Sequence, residues 1–542
     1  MVSIQANRRR RRCCHISTKR LVQSILLSCV VLLVFVVRFN QRKPKQQRGD
    51  AAQDAKLAAL AKEEQTTAKL IRSQTTTSTA AAIDWKKTIR QDSSAKQFDG
   101  LMRSEAKNTT TTTTLLANGP KAIVAYVWTL TSCNDVQSST EGLLDAALVL
   151  RYSVERISHP HSNSRYGHHM YVLVHPEATG CTRLLEHAGY TVLVKEPPVR
   201  ASEIRSVHLR ETVDQDGCCG SKEFVKLYAY DLAPHEIAVH VDADTAFLRP
   251  LDPLFDAMLE SPHSPTRLQA QQQIVKQYPA TPFPTRIEAY ITRDYQQVIP
   301  GDNATLFQAG FMVVRRNPAA LQELREIVLE GNYVEGWGGT SGWGGRGYAG
   351  KVGSKGMQGL IAYYYDYVRP HAAVELHGCR YNWMGGDVLY RSPPAFHPHR
   401  CRDKIGKCRN GREECEDCQD TPLSLIQSVH FTNCRKPWNC IGAKRRKGLG
   451  RKHQGIDERN TNYTKCMEVT QQWHMLREGL ENQLLLQQQH TSLHQDLRDM
   501  WRKGPYMKDI FRGHCHGNGQ PKYIPLSRGV DPSLFTNLSY SE

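Results

Sequence analysis

From Lys121 onward, short apolar runs alternate with segments of helical period, and no other feature of the sequence narrows the fold as far. Ala122 to Val127 (AIVAYV), Met170 to Val174 (MYVLV), Thr191 to Val194 and Ile237 to Val241 (IAVHV) read as strands. Leu143 to Ile157, Cys181 to Ala188 and Ser221 to Leu232 read as the helices between them. Strands that are apolar on both faces must be covered on both, which a parallel sheet between helical layers achieves. The predicted class is therefore α/β with a mostly parallel sheet. Ligands of such sheets bind beyond the carboxyl ends of the strands, so chemistry is expected in the residues that follow each apolar run.

Upstream the composition changes. Leu21 to Val37 (LVQSILLSCVVLLVFVV) is a 17-residue run without a charge, near the lower limit for a helix that crosses a bilayer. Seven Lys/Arg precede it and five follow closely, a bias toward a cytosolic N-terminus and a luminal remainder, which is type II topology. A cleaved signal peptide is the competing reading, but the run is long for one and leads into Arg38-Phe39-Asn40-Gln41, not a small-residue cleavage site. Cys13 and Cys14 are either palmitoylated or plain thiols. The expected organisation is a cytosolic basic tail (1–20), a transmembrane anchor (21–37), a Thr/Gln/Ala-rich stem (38–118), a main domain (119–455) and a C-terminal helical extension (456–542). The stem is too poor in large apolar residues to bury a core. Its threonine runs suit O-glycosylation.

The sequons at Asn108, Asn303, Asn462 and Asn537 all follow the anchor, in agreement with a luminal body. Thirteen of the 16 cysteines do so too, and in an oxidising lumen their default is disulfides. Cys401, Cys408, Cys415 and Cys418 leave a zinc site open as the alternative, although their spacing is not a common zinc pattern. The net charge of +18 invites a nucleic-acid reading. Residues 1–48, however, contribute 12 of these charges with no acid, and Lys444, Arg445, Arg446, Lys447, Arg451 and Lys452 contribute the other six. The rest of the chain is neutral, so no nucleic-acid partner is expected.

The chemistry-bearing residues follow the last of the four strands directly. Val241-Asp242-Ala243-Asp244-Thr245 sits where a strand loses its pleat, so two alternate carboxylates can turn toward one hard cation such as Mn²⁺ or Mg²⁺. Asp-x-Asp alone is a weak signal, more often a solvated turn. Later, Val429-His430-Phe431-Thr432-Asn433-Cys434-Arg435-Lys436-Pro437-Trp438 places an imidazole six residues before a lysine. The first can complete a metal's coordination and the second can neutralise a diphosphate. Taken singly, a core histidine and a surface lysine are the plainer readings. The glycine-rich stretch Gly336 to Gly359 lacks the spacing of a phosphate loop and reads as a mobile loop.

Phe224-Val225-Lys226-Leu227, Asp242-Ala243-Asp244-Thr245, Phe307-Gln308-Ala309-Gly310, Gly356-Met357-Gln358-Gly359, Tyr381-Asn382-Trp383 and His430-Phe431-x4-Lys436-Pro437-Trp438, in that order, resemble glycosyltransferase family 8, the family of glycogenin and galactinol synthase. The resemblance spans roughly residues 119–440. It implies a Rossmann-like GT-A fold, a UDP-sugar donor, Mn²⁺ (or Mg²⁺) and retention of anomeric configuration by a hexosyltransferase. Carried over by position, Asp242, Asp244 and His430 hold the metal. Lys226, Asp242, Gln308, Gln358, Asn433 and Lys436 bind the donor, and Gln358 and Lys436 are catalytic. The sequence departs from the family at Asn433, where a glycine is usual, at Met357, where an aspartate is usual, and at Gln308-Ala309 in place of Asn-Ser. These departures leave the donor sugar open, and a methionine cannot serve as a nucleophile.

The expected protein is a type II transferase of the Golgi membrane, with the ER as the alternative, acting on a glycan or glycoprotein acceptor. A non-catalytic glycan- or nucleotide-sugar-binding scaffold on the same fold is the alternative function. A self-glucosylating protein of the cytosol is a further rival, but it has no use for an anchor or sequons.

Overall fold

The computed structural model describes residues 119–133, 139–217, 219–275, 283–302, 304–336, 339–386, 388–391, 401–440, 462–487, 508–516 and 522–526. All lie in one compact unit, Asn118–Glu542. The expected anchor and stem, the basic run at 444–452 and the sequons at Asn108, Asn303 and Asn537 lie outside the described residues. Among the described residues, no helix is long and apolar enough to cross a membrane.

Strand β1 (Ala122–Leu130) leads through helix α1 (Ser139–Ile157) to β2 (Tyr166–Val174), and α2 (Thr182–His187) leads to β3 (Thr191–Val194). A long 3-10 segment, Gly220–Asp231, precedes β4 (Ile237–Val241), so the segment read as a regular helix at 221–232 is helical but more tightly wound. Then follow β5 (Thr245–Phe247), α3 (Asp252–Leu259), β6 (Ala289–Arg293), β7 (Phe307–Arg315) and α4 (Pro318–Glu330). The short β8 (Tyr333–Val334) and β9 (Gly342–Trp343) precede α5 (Met357–Tyr363), β10 (Ala373–Glu375), β11 (Ser428–His430) and the long α6 (Asn462–Gln487).

Seven strands form one sheet in the order β10-β6-β7-β4-β1-β2-β3. The β4-β1-β2-β3 half is parallel throughout, and β6 and β10 are parallel to each other. Only β7 runs against its neighbours β4 and β6. The sheet is thus α/β and mostly parallel, as the alternation of apolar runs predicts. Its strands alternate between two apolar layers. Val124, Tyr126, Val239, Val241 and Phe311 face one layer, which includes Leu480 and Leu484 of α6. Ala125, Val127, Ala238, Met312 and Val314 face the other, which is closed by the 3-10 segment, α4 and α5.

The disulfide reading of the cysteines holds over the zinc alternative, and the reading of the glycine-rich stretch is corrected. Cys415 pairs with Cys408 and Cys418 pairs with Cys379, so these thiols do not converge on a zinc ion. Three further disulfides join Cys133 to Cys181, Cys434 to Cys466 and Cys440 to Cys515. The glycine-rich stretch is not a plain mobile loop. It is tied by the β8–β9 pairing, by Trp343 Nε1 donating to Ser354 O at 3.0 Å, and by the Asp216 carboxylate. Asp216 accepts from the backbone N–H of Gly353 at 3.1 Å and of Lys355 at 2.6 Å.

Helix α4 shows how local chemistry sets an element. Asn317 caps its start by accepting from Ala320 N, Pro318 opens it, and Gly331 ends it in the left-handed region with φ 67°. A Cβ at Gly331 would stand 2.6 Å from Ile204 Cγ2 and 3.0 Å from Ser206 Cβ. Gly331→Ala is therefore expected to cost about 2 kcal/mol or more, from left-handed strain and overpacking together. A urea titration followed by circular dichroism checks this, and an unchanged midpoint would refute the assignment of Gly331 as a required cap.

Candidate functional site

The antiparallel β7 determines what stands at the carboxyl end of β4. Its register places Phe311 opposite Val241, and the next pair brings the backbone of Gly310 to Asp242, whose N–H donates to Gly310 O at 3.1 Å. The chain then turns, with Thr245 N donating to Asp242 O at 3.1 Å, and this turn brings Asp244 round beside Asp242. Strand β5 starts at Thr245 and pairs antiparallel with β11, in a register that puts His430 opposite Thr245. Phe431 N donates to Asp244 O at 3.0 Å, and His430 N donates to Trp383 O at 2.9 Å. Residues almost 190 positions apart are thus held together by backbone pairing before any side chain interacts.

His430 Nε2 lies 3.6 Å from Asp242 Oδ2 and 3.4 Å from Asp244 Oδ1. One ligand atom from each of these three residues lies within 4.8 Å of the others. Lys226 Nζ, on the 3-10 segment, donates to Asp242 Oδ1 at 3.0 Å. Lys436 Nζ pairs with Asp244 Oδ2 and donates to Phe431 O at 2.7 Å. The side chains of His430, Lys226 and Asp244 are 3%, 9% and 10% exposed, whereas those of Asp242 and Lys436 are 34% and 36% exposed. The cluster is closed on one side and open on the other.

Electrostatics match this arrangement. Burial pushes the Asp244 carboxyl up, but the charges of His430 and Lys436 outweigh it and hold the group well below the usual carboxylate range. Asp242 is likewise pushed up by burial and brought below its ordinary value by Lys226 and His430. Because both folded values lie below the unfolded value of about 4, the ionised pair favours the fold at neutral pH. That contribution is lost as pH falls below this range.

The sequence reading brought Asp242, Asp244, His430, Lys226 and Lys436 forward, and the structure gathers these five in one cluster, with Lys226 on Asp242, Lys436 on Asp244 and His430 between the two carboxylates. Gln308 lies beside them on β7, where its Oε1 accepts from Gly310 N at 2.8 Å. Asn433 is exposed on the loop after β11, and its N–H donates to Met384 O at 3.2 Å. Gln358, second residue of α5, packs on Gly353 and has a buried Oε1 without a hydrogen-bond partner. Met357 is fully buried among the apolar side chains under α5. The residue standing at the expected aspartate position is thus part of the core.

Sequence reasoning missed three contributors. Glu223 Oε2 lies 4.0 Å from Lys226 Nζ and would stand 3.9 Å from a Cβ at Gly356, which links the lysine to the glycine-rich stretch. His240 is buried beside Thr129 Oγ1, and burial, then Lys226, push it down to about 3, so it adds no charge under the cluster. Gly310 supplies space: a Cβ there would stand 2.5 Å from both Asp242 Oδ2 and His430 Cε1. Only the Gly310 motif was visible in the sequence. Its clearance depends on strand register, and Glu223 and His240 carry no motif.

No family model matches the sequence, and no curated protein matches it. Among solved structures, mouse xyloside xylosyltransferase 1 in its apo form aligns with TM-score 0.32 and 12% identity, over 58% of this chain and 99% of that one. The galactosyltransferase LgtC, solved with donor and acceptor sugar analogues, aligns with TM-score 0.29 and 13% identity, over 58% and 89%. The apo form of GlyE from Streptococcus pneumoniae TIGR4 aligns with TM-score 0.30 and 12% identity, over 68% and 64%. Likenesses of this size carry no argument about activity, which rests on the cluster itself.

Gly310→Ala probes the cluster without changing a charge. The substitution is expected to leave the chain folded and to weaken Mn²⁺ binding at least about tenfold, since the ligand set loses the space between carboxylate and imidazole. Titration of Mn²⁺ followed by electron paramagnetic resonance measures this. Unaltered affinity would remove these three residues as the cation site.

Proposed function

We propose that the protein is a retaining, divalent-metal-dependent glycosyltransferase that moves a hexose from a UDP-linked donor to a glycan or glycoprotein acceptor. The observation that carries this reading is the convergence of Asp242, Asp244 and His430 with two lysines at the carboxyl end of β4. Two carboxylate oxygens and one imidazole nitrogen suit Mn²⁺ or Mg²⁺, with further positions left for phosphate oxygens. The clearance at Gly310 and the near-burial of His430 support the fit, because the imidazole is fixed with Nε2 toward both carboxylates.

When bound, a divalent ion supplies charge neutralisation on the diphosphate as the sugar–phosphate bond breaks. The protein's own residues divide the remaining work. Lys226, buried and bonded to Asp242, keeps that carboxylate ionised and oriented. Lys436 is the more exposed ammonium and can reach a leaving diphosphate, stabilising charge where it develops. Gln358, at the start of α5, is assigned to the donor sugar in this reading, and its buried Oε1 has no hydrogen-bond partner among the described residues. Because Met357 lies in the core, residue 357 supplies no carboxylate nucleophile. Retention then favours front-face attack, with the departing phosphate oxygen taking the acceptor's proton and positioning supplying much of the acceleration.

The same reading places the domain in the lumen of the secretory pathway, in the Golgi or else the ER, behind an uncleaved anchor at 21–37. The five disulfides among the described residues suit such a compartment. Protease treatment of sealed microsomes tests the topology: a C-terminal epitope should survive without detergent, and its digestion would contradict a luminal domain.

A screen of UDP-sugars with Mn²⁺ tests the activity. Hydrolysis or transfer should appear with at least one donor, vanish in EDTA, and be lost in Asp244→Asn. Lys436→Ala should lower kcat on the order of 10²-fold and raise donor KM less, because its charge matters most in the transition state. Lys436→Arg should recover only part of the loss. Undiminished turnover in EDTA would overturn the metal assignment, and a wild-type kcat in Lys436→Ala would remove this lysine from the reaction.

A further inference from the structure

Lys436 lies on a segment that has little structure of its own. Between Cys434 and Cys440, the backbone makes one internal hydrogen bond, Asn439 N to Lys436 O at 2.8 Å. An ammonium intended to meet a diphosphate needs a firmer mount, since an error of about 1 Å can cost on the order of 10²-fold in rate.

The mount comes from the last part of the chain. Cys434 is bonded to Cys466 and Cys440 to Cys515, so both ends of the segment are fastened to the C-terminal extension. Between these staples, Trp438 lies against Trp473 of α6, with ring centroids 6.1 Å apart. On its other side it covers Gly142 of α1, where a Cβ would stand 2.1 Å from Trp438 Cδ1. His474, the next residue of α6, is fully buried, and its Nε2 lies 3.2 Å from the carbonyl of Pro437, the residue after Lys436.

The donor direction follows from the partners. A carbonyl only accepts, so His474 Nε2 carries the proton. Burial, then His514 and Arg477, push His474 well below its ordinary value, which leaves it neutral with Nδ1 as an acceptor. His474 Nδ1 lies 2.9 Å from His514 Nδ1, which must therefore donate. His514 Nε2 then meets Glu481 Oε2 at 3.2 Å, an approach that requires one further proton on His514 or Glu481. Arg477 donates into Glu481 at 3.1 Å and lies over the ring of Tyr523, whose hydroxyl donates to Asp145 of α1 at 2.7 Å. A continuous polar chain thus runs from the first helix of the domain to the backbone beside Lys436.

We propose that the C-terminal extension is a working part of the transferase site, with His474 as a positioning residue that acts through Pro437 to hold Lys436 at the diphosphate position. The proposal rests on the function above for its catalytic consequence, but the clamp itself does not. It assigns α6 a role beyond closing the apolar core through Leu480 and Leu484.

The test uses the full chain and two readouts. In hydrogen–deuterium exchange, His474→Ala should speed exchange selectively in the peptide spanning 434–440, and His474→Gln, which keeps an N–H donor, should restore much of the protection. Cys440→Ser with Cys515→Ser should loosen the same peptide by a separate route, so the result does not hang on one variant. Unchanged exchange at 434–440 in His474→Ala and in the double serine variant would overturn the clamp. In kinetics with a responsive UDP-sugar and Mn²⁺, His474→Ala should lower kcat about tenfold or more with little change in donor KM. It should have almost no further effect in a Lys436→Ala background. A full additional loss there would overturn the positioning role. A wild-type chain inert toward every UDP-sugar, with exchange responding as stated, would defeat the transferase reading and leave the clamp standing.

Discussion

Two carboxylates sharing one largely enclosed corner repel each other, and the structure around Asp242 and Asp244 is arranged to oppose that repulsion. The counter-charges come from separate parts of the chain: Lys226 from the 3-10 segment before β4, His430 from β11 and Lys436 from the loop after it. Each is delivered by its own stretch of backbone. The one reversed strand of the sheet contributes space to this corner. An antiparallel β7 starts at the end where β4 finishes, so it brings Gly310 to Asp242 and leaves room between carboxylate and imidazole. A parallel neighbour would present its start at the opposite edge of the sheet.

The two lysines neutralise neighbouring carboxylates but differ in what they can do next. Lys226 is enclosed, bonded to Asp242 and 4.0 Å from Glu223, so it has little freedom to change partners. Lys436 is about a third exposed and pairs with the less exposed carboxylate, so its ammonium stands at the boundary between the cluster and solvent. An ammonium there can exchange one anionic partner for another without being drawn out of a buried position. The assignment of leaving-group stabilisation to Lys436, and not to Lys226, rests on that difference.

How much of this was legible in the sequence follows from the range of each interaction. The four strands through Ile237–Val241 were readable because apolar runs are local: the bounds of β3 and β4 are as expected, β1 runs on to Leu130 and β2 starts earlier, at Tyr166. Asp242 and Asp244 were readable because they follow a strand directly. His430 and Lys436 could be linked to them only by motif resemblance, since the β5–β11 register that brings them over is a long-range property. Disulfide partners were not readable for the same reason, and the zinc alternative at Cys415 and Cys418 fails because those two residues bond in different directions. Met357 was noticed as a departure from a motif, but its burial follows from α5 packing on β7, which no local pattern reveals.

The extension after residue 455 changes how the site is assembled. The seven-stranded sheet is complete by β10, yet the segment that carries Lys436 is fastened only later, because both cystine partners and the histidine at Pro437 come further along the chain. The Cys440–Cys515 bond spans 75 residues, so closing it restricts a long stretch of unfolded chain and ties the last described elements to the segment that bears the cation. Asp145 joins the same end of the chain back to α1 by accepting from Tyr523 and from the backbone of Leu526. Core and extension therefore meet both at α1 and the apolar layer beneath it and in the segment beside the charge cluster. At the second contact the buried polar groups His474 and His514 are partnered with each other, with Pro437 O and with Glu481, so their burial does not leave these ring nitrogens unsatisfied.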